Sequence, residues 1–331
     1  MVTRKEVALK AGVSEATVSH VINDTKFVSS ELKQKVEEAI KLLNYTPNMV
    51  ARSLVTKQSK HVGILVNDIK NPYYGEIAEG MEEIARENGY IVSLCLASGN
   101  PDEYLNNIVQ RQMEGLFIAC TSSRFSADQI QKPKEAGVII INGVKGEGSH
   151  IEFNYSSAVF ESVEHLAKMG HTRIGFLSGI KINEEHLRFT YYREALKKHG
   201  LSLDDDLVVD GTYPYYTTHK SGYESMKILL QRETRITAVL ATNDLMAFGA
   251  MKAIKEAGLR IPEDMSIIGC DDIFLSECTE PPLTTIRPPK KEFGRQAMYL
   301  MIKELSEKKH GIVTLDCDLV IRQSTGKAPS I

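Results

Sequence analysis

Short helical periods of apolar residues open the chain and are separated by turn residues. Ala8 and Gly12 supply the small side chain and the tight turn that a sharp helix crossing needs, and Ser14 is placed to cap the second helix. A third amphipathic helix is predicted over 30–44. The pattern predicts a helix-turn-helix, a shape that fits a DNA major groove, closed by the third helix. The apolar positions assigned to this core are Val7, Val13, Val18, Val21, Ile22, Leu32, Val36, Ile40 and Leu43.

The outward face of the second predicted helix carries short polar and small side chains, which can approach base edges closely. An ordinary solvated helical hairpin would show the same periodicity. Glu15 can accept a hydrogen bond from a cytosine amine or cap the helix N-terminus, and capping is the favoured interpretation. The candidate DNA contacts on this segment are Ser14, Glu15, Ala16, Thr17, Ser19, His20 and Asn23.

From residue 61 onward, short apolar runs alternate with helical periods, which is typical of parallel strands joined by crossover helices. Val62-Gly63-Ile64-Leu65 and Ile174-Gly175-Phe176-Leu177 form an internal echo 112 residues apart, so two similar lobes are expected. The predicted strands are 62–66, 91–96, 115–120, 138–141, 173–177, 237–241 and 266–269.

Polar residues that directly follow these strands are the candidate ligand contacts, because such sheets bind ligands at the carboxyl ends of their strands. Asn243 could instead cap the helix that follows it, and Tyr73 and Tyr216 could be turn or loop packing residues. Arg188, which opens a later helix, could pair with an acid between the lobes. The candidate effector contacts are Tyr73, Tyr74, Thr121, Arg188, Tyr216, Asn243 and Asp271.

Charge is distributed unevenly along the chain. Residues 1–60 hold ten Lys or Arg and six acidic residues, a net charge of +4, whereas the 331-residue chain carries −3. A basic end on an acidic body places a polyanionic partner at the N-terminus. There is no apolar run long enough for a membrane span and no signal-peptide core, so a cytoplasmic protein that does not bind membranes is expected. The five cysteines show no metal-ligand spacing and are expected to be reduced, and no metal or cofactor is predicted.

Residues 46–55 are predicted to form a hinge helix of about two turns, too short to be stable alone. Thr46 can cap it and Pro47 suits its first position. If two copies pair on DNA, Leu54 could wedge between base pairs in the minor groove.

The order of these segments resembles the lactose/galactose repressor (LacI) family over the whole chain. The motifs that carry the resemblance are Tyr-Thr-Pro-Asn at 45–48, Asn-Pro-Tyr-Tyr at 71–74, Gly-His-Thr-Arg-Ile-Gly at 170–175, Thr-Asn-Asp-Leu-Met-Ala at 242–247, Gly-Cys-Asp-Asp at 269–272 and Pro-Leu-Thr-Thr-Ile at 282–286.

The resemblance implies an α/β protein with an N-terminal helix-turn-helix domain and a two-lobe, periplasmic-binding-protein-like (type I) effector domain with parallel sheets. The expected boundaries are 1–57 for the DNA-binding domain with its hinge helix and 58–331 for the effector and dimerisation domain. Its lobes are expected at about 58–157 with 288–315 and about 158–287 with 316–331. Family pattern adds Tyr45, Asn48, Ala51 and Leu54 as DNA contacts. It also implies that Arg188 and Asp271 grip the effector while aromatic residues near Tyr73 and Tyr74 stack on it.

The function expected from these features is a dimeric, sequence-specific transcriptional regulator, with repression the commoner outcome. It would bind a pseudo-palindromic operator in double-stranded DNA under control of a small effector, a sugar or sugar derivative. A regulator of carbon catabolism that needs a corepressor or partner protein is an alternative, and a solute-binding protein or an enzyme is a further one. Three departures from the family pattern concern specificity: His20 replaces a guanine-reading Arg, and Asn142 and Asn154 stand where Asp is common.

Overall fold

The structure is a computed structural model. It describes residues 2–46, 53, 56, 58–96, 100–119, 125–182, 186–211, 217–232 and 235–330. Two compact units divide the chain, residues 1–60 and 61–331. Most of the predicted hinge helix lies outside the described residues. So do the candidate DNA contacts Asn48, Ala51 and Leu54 and the candidate effector contacts Thr121 and Tyr216.

The described residues of the first unit include a core of three helices. Its helices are α1 (Arg4–Ala11), α2 (Glu15–Asn23) and α3 (Ser30–Leu42). Gly12 adopts φ 68°, the left-handed conformation needed between α1 and α2. The Ser14 hydroxyl accepts the Thr17 N–H at 3.1 Å, so the predicted cap is present. The buried apolar residues of this core are Val7, Ala8, Val18, Val36, Ala39 and Tyr45.

Two sequence-based expectations for this unit are wrong. Leu32 was assigned to the core, but it is 36% exposed; α3 buries Val36, as predicted, and Ala39, which was not predicted. The third helix ends at Leu42 rather than at residue 44, because Asn44 adopts φ 46° and the chain turns there.

The second unit contains two six-stranded sheets. The first has the strand order β11-β5-β4-β3-β1-β2, and every pair in it is parallel. The first lobe, as the term is used below, is this sheet with its helices. Its strands are β1 (His61–Val66), β2 (Ile91–Leu96), β3 (Gly115–Ile118), β4 (Ile139–Asn142), β5 (His150–Asn154) and β11 (Ile312–Asp316). Its helices are α4 (Tyr73–Glu87), α5 (Pro101–Gln110), α6 (Ala127–Glu135) and α11 (Lys290–Glu307).

The second sheet has the order β12-β10-β9-β8-β6-β7 and forms the second lobe with its own helices. Its pairs are parallel except for β12, which runs antiparallel to β10. Its strands are β6 (Ile174–Leu177), β7 (Val208–Val209), β8 (Ala238–Ala241), β9 (Ser266–Cys270), β10 (Thr284–Arg287) and β12 (Asp318–Val320). Its helices are α7 (Ser156–Lys168), α8 (Leu187–Lys198), α9 (His219–Gln231) and α10 (Asp244–Glu256), with 3₁₀ turns at Asp205–Leu207 and Phe274–Glu277.

The chain passes between the two sheets three times, after β5, after β10 and after β11. Each of the strands predicted from sequence overlaps an observed one, and the strands that were not predicted are β5, β7, β10, β11 and β12. Helix α11 belongs to the first lobe, where Phe293 and Met301 pack in the same apolar core as Ile77 and Met81 of α4. Strand β1 lies in the first sheet and β9 in the second, so the loops at their carboxyl ends belong to different lobes.

Candidate functional site

The outward face of α2 combines exposed and partly exposed side chains. Ser14, Glu15 and Ala16 are exposed, while Thr17, Ser19, His20 and Asn23 are partly exposed. Tyr45 differs from the other candidate DNA contacts, because it is buried in the three-helix core and only 9% exposed. The Tyr45 ring packs in this core, and its DNA contact stays a prediction.

Hydrogen bonds order the side chains on this face. The Nδ1 atom of His20 lies 2.9 Å from the Thr25 hydroxyl, and Asn23 donates from Nδ2 to the Ser19 hydroxyl at 3.2 Å. Arg4 reaches the same hydroxyl at 3.5 Å. With Nδ1 engaged, Nε2 is the His20 ring nitrogen available to a base, and one nitrogen cannot reproduce the two-point contact that Arg makes with guanine.

Asp271 is the centre of the second candidate site. It follows β9, is 6% exposed and adopts φ 120°. Its N–H donates to the Ile286 carbonyl at 2.9 Å. Burial and the neighbouring carboxylate of Asp244 raise the pKa of Asp271 to about 8, against the opposing effects of Arg188 and Lys290. At neutral pH this carboxyl group is therefore mostly protonated and can donate as well as accept a hydrogen bond.

Arg188 lies beside Asp271, at the start of α8. Its guanidinium donates to the Thr242 carbonyl at 2.8 Å and contacts the Cys270 sulfur at 3.5 Å. It also lies 5.1 Å from the centre of the Tyr155 ring, within the range of a cation–π interaction. The Arg188 guanidinium therefore lies near the Asp271 carboxyl group and over the Tyr155 ring.

The first lobe contributes the other wall of the site. The Asn71 side chain, which follows β1, hydrogen-bonds the Asp271 carboxyl group of the second lobe. Burial raises the pKa of Tyr73 well above its usual value, and Asp271 raises it further. The Tyr73 ring meets Tyr74 edge to face, with centroids 5.1 Å apart. Residues from both lobes therefore converge on Asp271.

Asn67 and Tyr74 extend this wall. Asn67 donates from Nδ2 to the Tyr74 hydroxyl at 3.4 Å. The Asn67 Oδ1 atom is buried and accepts no hydrogen bond from the part of the chain that the structure describes. A buried amide oxygen without a donor is unfavourable.

Asn243 caps a helix in the structure, although it was also named as a candidate effector contact. Its Oδ1 accepts the Met246 N–H at 3.0 Å, as the N-cap of α10, and its Nδ2 donates to the Thr217 carbonyl at 3.1 Å. Both ends of the amide are occupied within the protein, and the residue is only 4% exposed. The capping alternative is the one that the structure supports.

Three residues of this site were missed by sequence reasoning: Asn67, Asn71 and Tyr155. The first two follow β1, and the rule that selected Tyr73 could have selected them too. Tyr155 gave no such signal, because it follows β5, a strand that was not predicted. Among the described residues, no group of three or more His, Cys, Asp or Glu side chains could hold a metal ion. The helices in those residues include none that is long and apolar enough to cross a bilayer.

Carboxyl, guanidinium and amide groups beside aromatic rings form a set that suits a polyhydroxylated ligand. The polar groups can bind hydroxyls, and the ring faces can cover the C–H side of a sugar.

Two family models match this chain, one in each of its two compact units. Residues 3–48 match the family model "Bacterial regulatory proteins, lacI family", and residues 163–325 match a periplasmic binding protein-like domain. The transcriptional repressor PurR of Histophilus somni is 36% identical over 98% of this chain and 99% of its own. The ribose operon repressor of Escherichia coli is 36% identical over 93% and 94%.

Solved structures show the same architecture. The lac repressor dimer bound to operator and an anti-inducer has a TM-score of 0.84 at 28% identity, covering 98% of this chain and 99% of its own. A ribose-bound LacI family regulator from Enterococcus faecium has a TM-score of 0.71 at 30% identity, covering 81% and 99%. The protein is thus a DNA-binding transcriptional regulator and not an enzyme, and it belongs to the lacI family of bacterial regulatory proteins.

Proposed function

We propose that the protein is a homodimeric repressor that binds a pseudo-palindromic operator and is controlled by a small sugar bound between the two lobes of residues 61–331. The observation that carries the proposal is the convergence of Asn71 and Tyr73 from the first lobe on Asp271 and Arg188 from the second. A ligand that touches groups on both lobes changes the relative stability of their arrangements.

The effector is proposed to be a pentose, with D-ribose as the first probe. A ribose-bound regulator and a ribose operon repressor are among the relatives of this chain. Asp271 and Arg188 would bind its hydroxyls, and Tyr73 and Tyr155 would cover its carbon face. Tyr74 is proposed as a neighbour that orients Tyr73, and Thr121 and Tyr216 remain candidate contacts.

DNA recognition is proposed to depend on α2, with Ser14, Glu15, Ala16, Thr17, Ser19, His20 and Asn23 as the contact set. A hinge helix over 46–55 would pair with its copy, with contacts from Asn48 and Ala51 and Leu54 as the minor-groove wedge. The proposed domains are 1–57 and 58–331, with the chain acting in the cytoplasm, where bacterial DNA lies.

The test is a selection of genomic DNA fragments by the purified full-length protein at near-physiological salt, with and without D-ribose. The expected result is one enriched pseudo-palindrome whose affinity changes with ribose. A His20→Arg variant should shift the enriched motif, while Lys291→Met, far from α2 in sequence, should leave it unchanged. If no fragment is enriched in either condition, the DNA-binding proposal fails for the protein alone. Enrichment that ribose strengthens would identify it as a corepressor.

A further inference from the structure

A buried lysine at the first position of α11 connects the two lobes. Lys290 is 3% exposed. Its Nζ donates to the carbonyl oxygens of Asp271 and Asp272, the latter at 2.9 Å. The same atom lies 3.3 Å from Glu76 Oε1 in the first turn of α4. Since α4 and α11 both belong to the first lobe, Lys290 is anchored there by Glu76 and reaches across to the second lobe.

This is an unfavourable position for a lysine on general grounds. Burial of an ammonium group removes its hydration, and the N-terminus of a helix carries partial positive charge. No side chain caps α11, because Pro289 stands at its N-cap. The contacts of Lys290 with Glu76 and two carbonyls offset this cost, which indicates a role beyond filling space.

The turn that Lys290 contacts is itself in an uncommon conformation. Asp271 and Asp272 have backbone φ values of 120° and 46°, which residues other than glycine rarely adopt. The Asp272 carboxylate is bound by Arg287 at 2.5 Å and Arg322 at 2.7 Å, both from the second lobe. From the first lobe, Asn71 contacts the Asp271 side chain, whereas Lys290 contacts the backbone carbonyls of the turn.

We propose that Lys290 is a positioning residue for the effector: it fixes the turn that presents the Asp271 carboxyl and links that turn to α4. Because α4 begins with Tyr73, one ammonium group joins the two walls of the site. This inference rests on the proposed role of Asp271 as an effector contact. The Lys290 ammonium contacts the backbone carbonyl of Asp271, so its proposed effect on the effector acts through that turn.

Lys291, the next residue, provides a matched control. Its ammonium lies 2.9 Å from Glu79 and 3.4 Å from Glu83, both on α4. These described partners all belong to the first lobe, and the Lys291 side chain is 41% exposed. A Lys291→Met variant therefore removes a lysine from the same helix end without touching the turn.

The experiment is amide hydrogen exchange, followed by mass spectrometry, on the full-length protein and its Lys290→Met and Lys291→Met variants. The reporters are the N–H of Asp271, bonded to Ile286, and the N–H of Ile273, bonded to Asp244 at 3.0 Å. Lys290→Met should speed their exchange by about tenfold, as expected for loss of charged hydrogen bonds, and Lys291→Met should not change it. Equal exchange in the two variants would overturn the proposal.

A second pair of variants decides the question if Lys290→Met does not fold. Glu76→Gln removes the anchor but keeps Lys290, and it should speed the same exchange by about threefold, whereas Glu79→Gln should not. No difference between Glu76→Gln and Glu79→Gln would then overturn the proposal.

Calorimetric titration with D-ribose separates this inference from the proposed function. Lys290→Met should weaken ribose binding by about tenfold relative to Lys291→Met. Unchanged affinity despite faster exchange would refute a positioning role. If ribose fails to bind the unmodified protein, the proposed effector is wrong, and hydrogen exchange alone decides what Lys290 does.

Discussion

Replacement of Asp271 by Asn should make the protein more stable at pH 7, and the gain should grow with pH. In the folded chain the pKa of Asp271 is about 8, against an ordinary value of 3.8. The unfolded chain therefore releases this proton near pH 4, while the folded chain keeps it until about pH 8. A raised carboxyl pKa means that stability is lost as pH rises through this window.

The magnitude at pH 7 follows from the interval between the ordinary pKa of 3.8 and pH 7, because the folded carboxyl keeps its proton up to that pH. Each unit corresponds to 1.36 kcal/mol, so the ionisable side chain lowers the free energy of unfolding by about 4 kcal/mol at pH 7. About 3 kcal/mol of this arises between pH 5 and pH 7. Asparagine has nearly the shape of the protonated carboxyl and does not titrate, so Asp271→Asn removes the loss.

The assay is urea unfolding at pH 5 and pH 7, followed by far-ultraviolet circular dichroism because the chain has no tryptophan. Titration of the groups that do not interact with Asp271 is common to both proteins and cancels in their difference. Asp264→Asn is the control: hydrogen bonds from Arg260 lower the pKa of Asp264 to about 2, so its effect should not change between these pH values. An Asp271→Asn difference that is equal at pH 5 and pH 7 would refute the reasoning.

Three further predictions concern the cap, the effector site and helix packing. Ser14→Ala should lower the free energy of unfolding of residues 1–60 by about 1 kcal/mol in thermal melts, because the Thr17 N–H loses its acceptor. Arg188→Met should abolish the response of DNA binding to D-ribose in fluorescence anisotropy, with DNA affinity in its absence retained; a normal response would exclude Arg188 from the site. Gly249→Ala should cost about 1–3 kcal/mol, since a Cβ there would lie 1.8 Å from the His219 carbonyl, whereas Gly75→Ala, with no atom within 4 Å, should be tolerated in the same unfolding assay.

Sequence reasoning worked best where a local pattern decides the structure. The cap at Ser14 and the turn at Gly12 depend on neighbouring residues, and the central strands are continuous apolar runs. Asp271 could be selected because ligands bind at the carboxyl ends of parallel strands, and the sequence predicts where the strand before it ends. By contrast, β5 and β11 mix polar and apolar residues over only five positions each, so their pairing depends on long-range contacts.

The parts of the site that were missed share a physical reason. Tyr155 contacts Arg188 because the chain crosses from the first lobe to the second directly after β5, which ends at Asn154. Lys290 reads in the sequence as a surface residue next to another lysine, and only the packing of α11 against α4 buries it. The sequence around Asn243 fits both a helix cap and an effector contact, and the hydrogen bonds of its side chain favour the cap.

The threading of the chain between the lobes has a consequence for its synthesis. The first sheet contains β1 to β5, yet its edge strand β11 and the covering helix α11 follow all of the second lobe except β12. On the ribosome, the apolar surface that Phe293 and Met301 eventually cover stays open while more than a hundred residues of the second lobe emerge. The first lobe is begun first and completed late, so a chain that stops before residue 290 leaves both lobes unfinished.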